Sequence, residues 1–304
     1  MKALITGGNG FVGSHLQQRL CALGDVVRVL DRVAATGGEP PAAVEYIEGG
    51  TDDQDALRRA LEGVDLVYHL ASSEVPSTSN LDPIGDVQGN LIGTLRLLGA
   101  MVEAGVRRIV FLSSGGTVYG NPEVVPTPED HPQRPRSSYG VVKVAIEHYL
   151  ALYAELHHLV ATVLRPSNAY GPRQGHTGVQ GVVGTTLYRV LHGQPIVVFG
   201  NGTKVKDYLY VTDLVELICL AGRSEDDGIY NAGSGVGYSV NEIIQIVREV
   251  TGIDAVVEYA AERPGDVDHF VLDSTKARER FGWIPRVGIR QGIALHWRWL
   301  NDVR

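Results

Sequence analysis

Short apolar runs alternate with longer segments of helical period through the first 170 residues of the chain. The apolar runs occupy positions 2–6, 26–31, 44–48, 66–71, 107–114 and 159–166. The helical patterns between them occupy about 11–22, 53–62, 84–104 and 138–156. This alternation is typical of βαβ units packed around a parallel sheet. We therefore predict a doubly wound α/β fold of the Rossmann type with six buried strands.

The pattern becomes shorter and richer in glycine after Pro166. Isolated strands are predicted at 197–200, 207–211 and 228–233, and helices at about 212–222, 239–250 and 274–281. The sequence thus predicts a Rossmann domain over residues 1–170 plus about 207–234. Residues 171–206 and 235–304 are predicted to build a smaller, mixed α/β substrate-binding lobe.

The composition restricts the partners of this protein. The 304 residues carry a formal net charge of −8, which repels the phosphates of nucleic acid. No apolar run approaches the roughly 18 residues of a membrane span, and no signal peptide precedes the first apolar run. Cys21 and Cys219 lie in apolar helical segments, as reduced structural thiols do. We expect a cytoplasmic protein that binds neither nucleic acid nor membranes, and no metal, because the histidines lack ligand spacing.

The first predicted strand runs directly into a glycine-rich loop and a helix. Gly7, Gly10 and Gly13 stand at the spacing G-x-x-G-x-x-G, with Phe11 and Val12 inside the motif. Residues without a Cβ let the chain turn sharply and approach a pyrophosphate at the helix N-terminus. A bare glycine motif also fits an ordinary tight turn, but the order of strand, loop and helix favours a dinucleotide site.

A carboxylate ends the second predicted strand at the distance that a dinucleotide site requires. Asp31 stands about 20 residues after the glycine loop, where it can accept hydrogen bonds from an adenosine ribose and repel a 2′-phosphate. This position favours NAD over NADP as the cofactor. Arg32 leaves NADP as an alternative cofactor, because its guanidinium could pair with the 2′-phosphate.

Tyr139 and Lys143 are four residues apart and therefore project from one face of the predicted helix. They follow the fifth predicted strand, and ligands bind at the carboxyl ends of strands in such sheets. A free tyrosine has a pKa of about 10, but a nearby ammonium and an oxidised nicotinamide both favour the phenolate. We predict that Tyr139 acts as a general base supported by Lys143, rather than as a surface residue beside a helical lysine.

Further motifs extend this pattern along nearly the whole chain. They are His69-Leu70-Ala71, Asn90 with Gly93-Thr94, Thr117-Val118-Tyr119-Gly120, Arg165-Pro166-Ser167-Asn168-Ala169-Tyr170-Gly171, Lys206-Asp207-Tyr208 and Arg263-Pro264-Gly265-Asp266. With them the chain resembles the extended short-chain dehydrogenase/reductases, and among these the NAD-dependent nucleotide-sugar epimerase/dehydratase group typified by UDP-hexose 4-epimerases. The resemblance implies a homodimer in which the helices at 84–104 and 138–156 pair with those of a second copy.

The resemblance also implies contacts to the cofactor. Lys143 would bond the nicotinamide ribose as well as support Tyr139. The other residues implied at the cofactor are Leu70, Ala71, Ser73 and Pro166.

The same resemblance implies contacts to a nucleotide-sugar substrate. Asn168 and Arg263 would hold the diphosphate with help from Lys206, and Phe199 would stack near the base. Asp266 completes the Arg-Pro-Gly-Asp motif on the substrate side. Plain alternatives are a surface ion pair for Arg263 and Asp266, a turn cap for Asn168 and a core position for Phe199.

The catalytic loop departs from the family's pattern. Position 115 is glycine, where the family carries a serine or threonine that bridges the sugar and the tyrosine. Ser114 or Thr117 would supply this hydroxyl to the substrate and Tyr139, or Tyr139 would contact the sugar O4 directly.

Two departures concern binding. Lys206 stands where the family has arginine, which exchanges a bidentate phosphate contact for a point charge. Gly49-Gly50 replaces a Gly-Asp whose carboxylate meets the adenine, which leaves this contact to backbone or to Asp52.

Together the motifs predict an enzyme, with NAD as cofactor, that epimerises a nucleotide sugar, a UDP-hexose at C4, through a transient 4-keto sugar. The alternative is a nucleotide-sugar dehydratase, although related 4,6-dehydratases carry an Asp-Glu pair where this chain has Gly116-Thr117. A non-catalytic NAD-binding sensor is a third hypothesis, which the intact Tyr139/Lys143 pair disfavours.

Overall fold

The computed structural model describes residues 1–33, 44–73, 78–174, 181–262 and 267–303. They form two compact units, each with its own apolar core. The first unit consists of the described residues of Met1–Val118, Pro135–Arg165 and Val215–Tyr230. The second consists of the described residues of Tyr119–Arg134, Pro166–Leu214 and Asn231–Arg304. Among the described residues, no helix combines the length and apolarity needed to span a membrane.

The strands, in chain order, are β1 (Lys2–Thr6), β2 (Val26–Asp31), β3 (Val44–Glu48), β4 (Leu66–His69), β5 (Arg108–Leu112), β6 (Val160–Pro166), β7 (Asn168–Tyr170), β8 (Ile196–Phe199), β9 (Val205–Tyr210), β10 (Gly228–Ala232), β11 (Gly237–Ser239), β12 (Val257–Ala260) and β13 (His269–Phe270). The α-helices are α1 (Phe11–Ala22), α2 (Gln54–Leu61), α3 (Pro83–Asp86), α4 (Gly93–Ala104), α5 (Gly115–Val118), α6 (Ser138–His157), α7 (Val182–Leu191), α8 (Val211–Arg223), α9 (Val240–Thr251), α10 (Thr275–Phe281) and α11 (Ile289–Asp302).

The central sheet has seven strands in the order β10-β6-β5-β4-β1-β2-β3, and β1 to β6 pair in parallel. This confirms the Rossmann-type α/β fold, and all six strands predicted before Pro166 form. Two expectations were wrong. The segment 228–233 is not an isolated strand, because β10 forms the edge of the sheet beside β6. The strand β3 is only partly buried, because it forms the opposite edge.

The segment predicted as one helix over 84–104 has three parts. It begins as α3, widens into a π-helical segment, Val87–Ile92, and continues as α4. Asp82 caps its start, since its side chain accepts a hydrogen bond from the backbone nitrogen of Gly85 at 2.9 Å. A π-helical turn shifts the helical register by one residue and is frequent at functional sites.

The second unit contains two small sheets. In one, β9 pairs with β7, β11 and β13, and in the other β8 pairs with β12. The predicted strands at 197–200 and 207–211 therefore form, but they are not isolated. The unit also holds residues 119–134, 166–170, 207–214 and 231–234, which the sequence assigned to the Rossmann domain. For residues 119–134 the reason is long-range bonding, since Thr127 donates its backbone N–H to the Val271 carbonyl at 2.8 Å.

Candidate active site

The glycine-rich loop joins β1 to α1 in a conformation that excludes larger residues. Gly7 has a φ of +72°, and a Cβ there would lie 2.7 Å from the Cα of Ala71. A Cβ on Gly13 would lie 2.5 Å from the carbonyl oxygen of Gly8. The loop therefore packs backbone against backbone, as a close approach to a pyrophosphate requires.

The helix α1 begins immediately after this loop. Gly10 is its N-cap residue, and Phe11 and Val12 form the first turn. The first N–H groups of a helix have no carbonyl partner within it and attract anions. The positions of these residues thus agree with the predicted dinucleotide site.

Asp31 is held in place by backbone groups on both of its carboxylate oxygens. Its Oδ2 accepts a hydrogen bond from the backbone nitrogen of Asn9 at 2.9 Å, and its Oδ1 accepts one from Val33 at 3.1 Å. The carboxylate at the end of β2 is therefore fixed to the glycine loop. A fixed carboxylate suits recognition of a ribose.

A cavity of about 980 Å³ lies along the carboxyl ends of β1, β2 and β4 in the first unit. Among the residues predicted at the cofactor, it is lined by Gly7, Gly10, Asp31, Arg32, Leu70, Ala71 and Ser73. Gly50 and Asp52, the two alternatives for the adenine contact, also line it. The volume and the glycine-lined wall fit a dinucleotide. No group of three or more His, Cys, Asp or Glu side chains within the described ranges could hold a metal ion.

His69 is a buried, neutral support for this wall. Its Nδ1 lies 2.7 Å from the Thr6 hydroxyl, and its Nε2 lies 2.9 Å from the hydroxyl of Thr94. The Thr94 hydroxyl donates to the carbonyl of Asn90 at 2.6 Å, so His69 donates from Nε2 and accepts at Nδ1. Burial, with a smaller effect of the Lys143 charge, lowers the pKa of His69 to about 3.

A buried carboxylate links the π-helical segment to the start of α6. Asp86 accepts hydrogen bonds from Asn90 Nδ2 and from Ser138 Oγ, each at 2.7 Å. Asn90 Oδ1 in turn accepts a hydrogen bond from the backbone nitrogen of Ser73 at 2.8 Å. The residue beside Tyr139 and the loop after β4 are therefore linked through the side chains of Asp86 and Asn90.

The structure brings Tyr139 and Lys143 together on α6, as predicted. The Lys143 ammonium lies 5.4 Å from the centre of the Tyr139 ring and 4.7 Å from that of Phe111. It donates a hydrogen bond to the Leu112 carbonyl at 2.9 Å. The backbone nitrogen of Tyr139 donates to Ser79 Oγ at 3.1 Å, which anchors the first turn of the helix.

Burial dominates the electrostatics of this pair. It lowers the pKa of Lys143 to about 8, although the carboxylates of Glu147 and Asp86 oppose the change. It raises the pKa of Tyr139 to about 12, against a hydrogen bond from Ser72 that lowers it. Loss of solvation therefore raises the pKa of the phenol, and the prediction that the Lys143 ammonium and an oxidised nicotinamide together favour the phenolate stays a prediction.

The loop after β5 contains the two predicted substitutes for the missing hydroxyl. Ser114 and Thr117 are both partly buried around the short helix α5, and Thr117 Oγ1 lies 3.4 Å from the Ser114 carbonyl oxygen. A Cβ on Gly140 would lie 2.8 Å from the Thr117 carbonyl, so this loop packs beside the start of α6.

Three of the residues predicted at the substrate, Asn168, Phe199 and Lys206, lie in the second unit, whereas Thr117 and Tyr139 lie in the first. Asn168 is exposed on β7, and Phe199 is 41% exposed at the end of β8. Lys206 donates a hydrogen bond to the Val267 carbonyl. Pro166 ends β6 and belongs to the same unit. Arg263 and Asp266 lie outside the described residues.

Two residues of the sequence motifs are buried and form hydrogen bonds with other side chains and backbone of the protein. Tyr119 is fully buried, and its hydroxyl donates to Asn231 Oδ1 at 2.7 Å. Asp207 is also fully buried and accepts hydrogen bonds from the Ser167 hydroxyl and from the Ser234 backbone, at 3.2 and 2.9 Å. They stabilise the segments next to Thr117, Asn168 and Lys206.

Sequence reasoning missed several side chains of the site. Gln17 donates to the Gly8 carbonyl at 2.6 Å and accepts from the Tyr46 hydroxyl at 2.5 Å, so it fastens the glycine loop to β3. Ser72 lines the cavity and bonds the Tyr139 side chain. Ser72 stands between Ala71 and Ser73, which were both predicted at the cofactor, so the sequence could have indicated it. No local pattern indicated Gln17.

Comparison with known proteins agrees with this geometry. Residues 3–233 match the NAD dependent epimerase/dehydratase family. A UDP-glucose 4-epimerase from Mycolicibacterium smegmatis is 37% identical over 302 residues, which cover 97% of this chain and 96% of the relative. The structure of Thermotoga maritima UDP-glucose 4-epimerase with UDP-glucose has a TM-score of 0.96 at 37% identity, covering 100% and 99% of the two chains. That of the Thermus thermophilus enzyme with NAD has a TM-score of 0.95 at 38% identity, covering 100% of both.

Proposed function

Because the chain belongs to the NAD dependent epimerase/dehydratase family, we propose that it interconverts UDP-hexoses that differ in configuration at C4. The enzyme uses NAD. The observation that carries the proposal is the Tyr139/Lys143 pair on α6, in the same unit as the cavity built by the glycine loop and Asp31. Bound NAD⁺ would accept a hydride from the sugar carbon and return it, so the reaction has no net redox change.

The residues of this chain supply the acid–base chemistry. Tyr139 takes the proton of the sugar O4 hydroxyl as C4 becomes a ketone, and it gives the proton back when the alcohol forms again. Lys143, fixed by the Leu112 carbonyl, supports the phenolate through its charge and bonds the cofactor ribose. A sugar that is held weakly can present either face of the ketone, whereas a firmly held nucleotide keeps it in the site.

The second unit contains the residues proposed to bind the nucleotide part of the substrate. Asn168 and Lys206 are the proposed contacts to the diphosphate, and the exposed ring of Phe199 is the proposed contact to the base. Arg263 and Asp266 stay predictions at this site. An exposed aromatic ring loses water contact when a base stacks on it, which favours binding.

A homodimer through α6 and the helical segment 83–104 belongs to the same proposal. Large apolar side chains along one side of α6 are exposed, namely Val141, Tyr149, Leu152 and Leu156. Ile84 at the start of the neighbouring segment is 70% exposed. An apolar stripe of this kind suits packing against a second copy. Light scattering of wild type and of Leu152→Glu, which should shift the protein towards the monomer, tests this point. The cytoplasmic location stays a prediction.

Incubation of the purified enzyme with a panel of UDP-hexoses, read by NMR and mass spectrometry, tests the function. We expect a C4 epimer with the mass of the substrate, and conversion that is slower by a factor of about 100 or more with Tyr139→Phe. A product that has lost water would instead identify a dehydratase. Absence of any conversion, with NAD bound, would contradict the proposal.

A further inference from the structure

The loop that follows β5 has no side chain at the position where the resemblance leads one to expect a hydroxyl. Gly115 is buried at the start of α5. The nearby Thr117 hydroxyl is 3.4 Å from the carbonyl of Ser114, within its own turn. Among the hydrogen bonds of the described residues, none joins the hydroxyl of Ser114 or Thr117 to Tyr139.

A different hydroxyl reaches Tyr139 from the loop that follows the neighbouring strand β4. Ser72 stands in this loop, in the cavity wall between Ala71 and Ser73, and its side chain is hydrogen-bonded to the side chain of Tyr139. This bond lowers the pKa of the phenol, against the stronger effect of burial. A hydrogen bond to the charged form of a group favours ionisation.

The buried carboxylate of Asp86 keeps the two partners together. It accepts from Asn90, which holds the backbone nitrogen of Ser73, and from the hydroxyl of Ser138. Ser73 and Ser138, which are the neighbours of Ser72 and Tyr139 in the chain, are thus linked through the buried side chains of Asn90 and Asp86. Such a network fixes the relative position of two groups more firmly than exposed loops can.

We propose that Ser72 is the hydroxyl that serves Tyr139 during the reaction, in place of the one missing at position 115; the inference rests on the proposed function. When Tyr139 is ionised, Ser72 donates its O–H to the phenolate oxygen. The sugar O4 proton moves to the tyrosine oxygen and back, while Ser72 keeps its own proton throughout. The reaction therefore remains balanced without a further acid or base.

The test is the pH titration of Tyr139, followed by the ultraviolet absorbance of tyrosinate. For each protein, the absorbance of the same protein carrying Tyr139→Phe is subtracted, so that the difference reports Tyr139 alone. The charged groups around Tyr139 within the described part of the chain are Lys143 on α6 and Asp86 on α3, and both are kept. The NAD⁺-loaded proteins to compare are wild type, Ser72→Ala, Ser72→Thr, Ser114→Ala, Thr117→Val and the control Ser224→Ala.

We expect Ser72→Ala to move the titration upwards by about one pH unit, because one hydrogen bond to the phenolate is lost. Its kcat near neutral pH should fall about tenfold with little change in KM. Ser72→Thr, which keeps the hydroxyl, and Ser224→Ala should titrate like wild type. A purely structural role of Ser72 would not move the titration.

The inference is overturned if Ser72→Ala titrates like wild type, or if Ser114→Ala or Thr117→Val causes the shift instead. If Ser72→Ala does not retain NAD⁺, the same titration of the cofactor-free proteins tests the inference, because the hydrogen bond between Ser72 and Tyr139 does not depend on the cofactor. The titration is independent of turnover. If wild type converts no UDP-hexose, the proposed function fails, whereas the contact between Ser72 and Tyr139 is still judged by the absorbance.

Discussion

The guanidinium of Arg165 and the carboxylate of Glu147 form a buried ion pair, with Nη2 2.6 Å from Oε2 and each side chain 3% exposed. Glu147 lies one turn after Lys143 on α6, and its Oε1 also accepts the Ser113 hydroxyl at 2.5 Å. Ser113 follows Leu112, whose carbonyl holds the Lys143 ammonium. The pair therefore fastens the catalytic helix to β6 and to the end of β5.

Removing one charge of this pair should destabilise the protein strongly. Glu147→Gln leaves Arg165 buried without its counter-charge, which costs about 3 kcal/mol of unfolding free energy. Urea denaturation measures the change. The matched control is Glu123→Gln, whose partner Arg134 is exposed, as is Glu123, and which should change stability by less than about 1 kcal/mol. Equal unfolding curves for Glu147→Gln and wild type would refute the assignment.

Features with local signals were predictable from the sequence, and those that join distant segments were not. The glycine spacing predicted the loop and α1, and the Tyr139/Lys143 spacing predicted a shared helix face. The Glu147–Arg165 pair and the bond between Ser72 and Tyr139 join different elements, so no periodicity reveals them. The π-helical segment Val87–Ile92 has the apolar pattern of an ordinary helix, and only its hydrogen bonds distinguish it.

A methyl group at Gly13 should weaken NAD binding. The added Cβ would overlap the carbonyls of the glycine loop, so the loop must move away from the position that receives a pyrophosphate. We expect Gly13→Ala to raise the Kd for NAD at least about tenfold, which is about 1.4 kcal/mol, by calorimetry. Gly288→Ala, at a site with no atom within 4 Å of the new Cβ, is the control and should bind NAD normally.

His69 should make the protein less stable in acid. Its pKa is about 3 in the folded protein against an ordinary value of 6.5, because burial disfavours the charged ring. The unfolded chain therefore takes up a proton first, and stability is lost as the pH falls from 6.5 towards 3. Between pH 6.5 and 5 this amounts to about 2 kcal/mol of unfolding free energy.

The measurement is the pH dependence of urea unfolding for wild type and His69→Gln. The loss of stability between pH 6.5 and 5 should be smaller in His69→Gln, and His192→Gln, at an exposed position, should follow wild type. Parallel curves for wild type and His69→Gln would show that His69 does not cause the acid sensitivity.

Removing the phenol oxygen should stop the chemistry without emptying the cofactor site. Tyr139→Phe keeps the ring beside Lys143 but loses the group that moves the proton, so kcat should fall by a factor of about 100 or more. NAD content after purification should match that of wild type. Turnover at the wild-type rate would remove Tyr139 from the mechanism.

The central claim is that hydrogen leaves C4 of a UDP-hexose and returns to the same carbon while Tyr139 moves only the O4 proton. UDP-glucose labelled with deuterium at C4, converted in ordinary water and followed by NMR, tests it most directly. We predict UDP-galactose that retains the deuterium at C4. A product with solvent hydrogen at C4, or one that has lost water, would contradict the account.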